Sequence, residues 1–212
     1  QVSTLSEHKE AGLATCLVVA LTPDNKIVHC ETDAPSGDCS KSMLINNQIG
    51  TPSRVLVRQQ CFDDIGVFDE SLPTKQDWDF YLRLCQEWKV ASIKDHLCFK
   101  TVHESMSSSS RAVERDKQRI LQKHEELINN KDVWTQAQAS IHEEIGRSYL
   151  GDRQLKQARE NLWRSCHDIT MRRLTLLLLS YTRPVLIKNI IQLKRSISYH
   201  KPGCPKISTI SA

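Results

Sequence analysis

No two cysteines stand two residues apart, although the 212-residue chain carries eight of them. That excludes the paired ligand spacing of structural zinc sites, and the scatter fits no compact disulfide framework. Reduced thiols, as in a cytosol, are the expectation. Only Cys30 and Cys39, on either side of a Gly/Ser/Asp loop, are placed to bridge in an oxidising compartment. Long apolar runs are lacking too. The best candidate, "LTLLLLSYTRPVLIKNII" (174–191), is interrupted by Arg183 and Pro184 and followed within by Lys188, whereas a membrane span needs roughly 20 predominantly apolar residues. The chain starts at Gln1, and no charged stretch leading into an apolar one opens it. The sequence therefore reads as having no signal peptide.

What is present describes an ordinary globular protein: 39% hydrophobic and 25% charged residues, with a net charge of +4. This length can bury one sizeable core, or one core with a helical appendage. The net charge is too small to argue for nucleic acid, and the Arg and Lys of the tail lack an interleaved aromatic stripe, so no nucleic-acid partner is expected.

Periodicity divides the chain near residue 109. Residues 3–15 read as a short helix, and "ATCLVVALT" (14–22) as a buried strand. The turn Pro23-Asp24-Asn25 leads to "DNKIVHCET" as its hairpin partner. "GTPSRVLVRQQCF" holds a turn and a strand over Arg54–Arg58. "FDDIGVFDESLP" reads as turn and loop, followed by a helix beginning near "TKQDWDFYLRL" (74–84) and another strand, "KVASIKDHLCFK". Beyond a serine-rich stretch at 106–109 the pattern becomes helical. Val113, Ile120, Leu121, Leu127 and Ile128 share one stripe. Two further helices break at Gly151-Asp152, and Gly146, Tyr149, Gly151 and Ala158 resemble a degenerate tetratricopeptide-type pair. A single pair cannot bury its own face, so it is expected to dock on the first region. The 174–191 stretch reads as two helices parting before Pro184. With its basic flanks it reads first as a final core helix with a solvated basic side, and second as a peripheral contact with an anionic membrane face.

The stretch from Thr74 to Leu84 admits two readings. Thr74-Lys75-Gln76-Asp77 matches a capping box, in which Asp77 favours the helix start by about 1 kcal/mol and Trp78 is simply core. Alternatively, one carboxylate belongs to an active site.

A wider set of residues bears on that choice. In order, the sequence carries Phe62, Ile65-Gly66, Phe68-Asp69-Glu70, Asp77-Trp78-Asp79, Leu82-Arg83-Leu84, His103 and Ser107. Over residues 46–107 it resembles the family 2 glycosyltransferases of the GT-A fold. The resemblance implies an α/β fold, namely part of a GT-A (Rossmann-like, nucleotide-diphospho-sugar transferase) domain over 1–108, followed by an all-helical C-terminal region over 109–212. It implies an enzyme that transfers a sugar, with inversion, from a nucleotide-sugar donor such as a UDP-sugar to a glycan, lipid-linked or small acceptor. Asp77 matches the family's catalytic base, which takes the proton of the attacking hydroxyl, a contribution of roughly 10²- to 10⁴-fold. Trp78 matches an acceptor-site wall, and Thr51 and Ser53 either border the acceptor cleft or form a simple turn. His103 falls where family members place a histidine near the diphosphate and its divalent metal, Mn²⁺ or Mg²⁺. Asp79 and Arg83 receive no catalytic role.

The pattern also departs from the family. Gln76 stands where a glutamate usually precedes the base, and Lys100 and Thr101 stand where an arginine often precedes the histidine. Residues 1–48 carry no Asp-x-Asp motif in a strand-end context. The chain is therefore expected to be the C-terminal, acceptor-side part of a cytoplasmic enzyme, with the nucleotide-binding half outside it. A competing expectation is a non-catalytic interaction module whose helical tail binds a protein or membrane partner.

Overall fold

The structure, a computed structural model, describes residues 1–102, 109–127, 130–167 and 170–181. Among these residues the fold is α/β, with a four-stranded mixed sheet and eight α-helices.

Strand β1 (Ala11–Leu21) is the hub, and it is buried over nearly its whole length. An apolar run of this kind, covered on both faces, reads as continuous hydrophobicity rather than alternation. β4 (Lys89–Thr101) runs parallel to all of β1. Its antiparallel partners β2 (Ile27–Cys30) and β3 (Val55–Val57) pair at residues 19–21 and 13–15, so they share the other edge of β1. The β1–β2 hairpin follows the expected turn, with Thr22 and Lys26 closing it.

The first helix is shorter than expected: α1 spans Val2–Glu7, and β1 already begins at Ala11. Arg58 supplies the reason. Its guanidinium donates to the carbonyls of Leu5, His8 and Ala11, which ends the helix and holds the chain against β3. Gly12 allows the close approach that follows, since a Cβ there would meet Cys61 Sγ at 2.6 Å and Trp88 Cβ at 2.7 Å.

Helix α2 (Ser40–Ile45) follows the polar loop. Part of "FDDIGVFDESLP" is helical rather than loop: α3 runs Gln59–Ile65 and stops at Gly66, whose φ of 78° suits glycine. Then come α4 (Gln76–Glu87), α5 (Ser110–Lys123), α6 (Lys131–Gly151), α7 (Leu155–Ser165) and α8 (Met171–Leu179). Side-chain caps open three of them. Ser109 accepts from Ala112 N–H, Asn130 from Asp132 and Val133 N–H, and Thr170 from Arg173 N–H. The α6–α7 break falls at Asp152, as the sequence suggests, and Gly146 lets the two helices close on Leu162 and Ala158.

One cluster of buried side chains runs from Leu13 and Met43 through Trp78 and Leu84 to Ile145, Leu162 and Leu177. The helices after residue 109 thus share their core with the sheet, and α6 packs directly on α2. No helix among the described residues is long and apolar enough to cross a membrane. Cys39 is an unlinked thiol, so no Cys30–Cys39 bridge closes the polar loop. Burial pushes the thiols of Cys61 and Cys85 up, to about 11 and about 12.

Candidate active site around Asp77

The two carboxylates of "DWD" have different surroundings. Asp79 is wholly buried and surrounded by donors. Arg83 Nη2 lies 2.9 Å and Lys123 Nζ 2.6 Å from its oxygens, and His124 Nε2 lies 2.8 Å away. Burial pushes its acidity down, but His124, Lys123 and Arg83 outweigh burial and hold the carboxyl well below the usual carboxylate range. Lys123 also reaches Asp69 at 2.5 Å, and that contact, with Ser71, lowers Asp69 to about 2. Arg83 donates in turn to the carbonyls of Ile65 and Val67. Phe68-Asp69-Glu70 and Asp77-Trp78-Asp79 are therefore tied together through Arg83, Asp79 and Lys123, and every oxygen of Asp79 is engaged.

Asp77 is different. It sits in the first turn of α4, half-buried, with Oδ1 accepting from Trp78 N–H at 2.8 Å. The expected capping box does not form. Thr74 Oγ1 bonds Asp116 Oδ2 at 2.5 Å instead, and α4 is entered through Lys75 in the left-handed conformation at φ 64°. A tertiary acceptor has displaced the local one.

Trp78 is 1% exposed, and its Nε1 donates to Met43 O at 2.9 Å. The Lys117 ammonium lies 4.2 Å from the ring centre, a cation–π contact. One ring face is thus already occupied, and contact with an acceptor requires Lys117 to leave it. Thr51 precedes a single 3₁₀ turn, Pro52–Arg54, on which Ser53 is exposed. His103 lies outside the described residues.

Two further residues near Asp77, Tyr81 and Arg54, were not singled out by the sequence. Tyr81, one turn along α4, is 1% exposed. Burial first, and then the Asp77 charge, push its phenol up, while Arg54 acts in the opposite direction, so Asp77 and Arg54 each lie within electrostatic reach of Tyr81. Arg54 is 2% exposed and pairs through Nη1 with Glu31 at 2.8 Å. Its Nε and Nη2, Tyr81 Oη and Thr15 Oγ1 have no hydrogen-bond partner among the described residues. Leaving such groups unpaired costs about 1–3 kcal/mol each. Hydroxyl or anionic oxygens would satisfy them, and Asp77, one turn before Tyr81 on α4, would accept a proton. The available signal was the i, i+4 spacing of Asp77 and Tyr81, which places both on one helix face. Arg54, a charge directly after Ser53 and just before the apolar Val55–Val57, was the other.

Among the described residues no three His, Cys, Asp or Glu side chains come together as metal ligands. No protein-family model matches the chain, and comparison with curated proteins finds no match either.

Proposed function

We propose that the chain is the acceptor-side portion of an inverting, family 2-type glycosyltransferase of the GT-A fold, with Asp77 as the catalytic base. The observation that carries the reading is the division of labour in "DWD". Asp79 is consumed by Arg83, Lys123 and His124, whereas Asp77 stays half-exposed in the first turn of α4, one turn before Tyr81, whose hydroxyl has no partner among the described residues.

In this reading the acceptor hydroxyl approaches Asp77, which takes its proton as the oxygen attacks the anomeric carbon of the nucleotide-sugar. The C–O bond to the diphosphate breaks as the new glycosidic bond forms, and configuration inverts in the single displacement. Arg54 and Tyr81 orient the acceptor through their free donors, and the Thr51–Ser53 turn borders it. The nucleotide-binding half that this chemistry needs is not supplied by residues 1–48. Anomeric analysis by NMR of the product formed from a UDP-α-sugar, once the donor half is present, tests the proposal. A β-linked product is expected, and an α-linked product would sink a single displacement through Asp77.

A further inference from the structure

Three buried side chains from three different elements carry polar atoms with no hydrogen-bond partner among the described residues. They are Thr15 on β1, Arg54 in the 3₁₀ turn before β3, and Tyr81 on α4, and they are 0%, 2% and 1% exposed. Buried polar groups are nearly always paired, so each exception asks for a reason.

The three converge. Thr15 pairs with Val55 across the β1–β3 ladder, next in sequence to Arg54. Thr15 also shares a face of β1 with Leu13, two residues away. That face meets Val55 and Val57 in the core cluster that contains Tyr81. Arg54 in turn lies within electrostatic reach of Tyr81.

Arg54 is only half used. Glu31 brings both carboxylate oxygens to Nη1, at 3.0 and 2.8 Å, and one of them also accepts from Val18 N–H. The unpartnered atoms, Nε and Nη2, form the other edge of the guanidinium, where two N–H groups point the same way. Such an edge fits two oxygens of one carboxylate or phosphoryl group, a match that a single water or hydroxyl does not make. Tyr81 and Thr15 can add a hydroxyl donor each.

We propose that the Nε/Nη2 edge of Arg54, with the hydroxyls of Tyr81 and Thr15, is a buried binding site for one oxyanion, the phosphate or carboxylate group of a ligand. Because all three side chains are buried, the site must open to load, and association is expected to be slow. The inference deepens the glycosyltransferase reading by naming the acceptor as an anionic one, since Tyr81 lies one turn from Asp77. Only that assignment rests on the reading. Anion binding itself needs no sugar transfer, so the two fail separately.

Thermal unfolding of the full 212-residue chain decides it, in sodium phosphate, sodium acetate or sodium chloride of equal ionic strength. Phosphate at about a hundredfold its dissociation constant is expected to raise the midpoint by about 5 °C over chloride. A like rise in acetate would show that a carboxylate fits as well, and none in acetate would restrict the site to phosphoryl groups. Tyr81→Phe removes one hydroxyl, and Arg54→Lys keeps a cation for Glu31 but loses the paired N–H edge. Each should weaken phosphate binding by about tenfold or more, read from the concentration dependence of the midpoint. In chloride, Tyr81→Phe should melt no lower than the wild type, because its hydroxyl has no partner to lose. A midpoint that neither phosphate nor acetate raises would overturn the proposal. So would a rise that persists in full in both variants, which is the general stabilisation that phosphate gives folded proteins. A clear drop for Tyr81→Phe in chloride would overturn it too, by showing the hydroxyl already bonded to a buried water.

Discussion

His124 Nε2 lies 2.8 Å from Asp79 Oδ1, which joins the end of α5 to the motif helix α4 across 45 residues of sequence. Arg83 and Lys123 complete the set around the same carboxylate, so Asp79 is where the motif region and the helical region are fastened together. Replacing it by Ala leaves Arg83 and His124 without their carboxylate, and Lys123 with Asp69 alone. The expected loss is about 3–5 kcal/mol, because breaking a buried pair strands its partners. Urea unfolding followed by far-UV circular dichroism measures it, and a loss below 1 kcal/mol, on the order of an exposed pair, would mean that these contacts do not hold the regions together.

The same carboxylates set an acid limit. Asp79 and Asp69 both have their folded-state acidity strengthened, Asp69 to about 2. A depressed folded value means that the stability these groups contribute is complete above their unfolded value, near pH 4. It is lost as the pH falls through the folded value. Thermal unfolding should therefore shift downward between about pH 4 and 2. In Asp69→Asn/Asp79→Asn the acid shift should be smaller than in the wild type.

Lys75 enters α4 at φ 64°, a conformation that costs a non-glycine residue roughly 1–2 kcal/mol. Lys75→Gly should be neutral or stabilising by up to about 1 kcal/mol, and Lys75→Val should destabilise, because a β-branched residue fits that region worst. The ordering of the two melting temperatures is the readout.

Gly146 makes the α6–α7 contact possible. A Cβ there would lie 2.7 Å from Leu162 Cγ and 3.2 Å from the Ala158 carbonyl oxygen. Gly146→Ala should cost about 1–3 kcal/mol by overpacking, despite the better helix propensity of alanine. Restoring space with Leu162→Ala should recover part of that loss, as a double-mutant cycle would reveal.

Much of the fold was legible because its signals are local. The Pro23-Asp24-Asn25 turn and the apolar runs on either side of it announce the β1–β2 hairpin, and Gly151-Asp152 announces the α6–α7 break. What escaped is settled by distant partners. Thr74 gave up its cap for Asp116, which lies 42 residues away. Arg58 ended α1 from 50 or more residues away, a contact that no window of sequence displays. In the candidate site, the motif drew attention to Asp77 and Trp78. The burial of Trp78 under Lys117 and the placing of both Asp77 and Arg54 within electrostatic reach of Tyr81 depend on packing between the sheet and the helices.

The central claim is that Asp77, not Asp79, is the base. It is tested most directly by the rate of sugar transfer from a UDP-sugar in an enzyme that includes the nucleotide-binding half, comparing the wild type with Asp77→Asn. The account predicts a fall of roughly 10²- to 10⁴-fold, with an unfolding midpoint close to that of the wild type because Asp77 has few partners. Transfer at an undiminished rate in Asp77→Asn would contradict it.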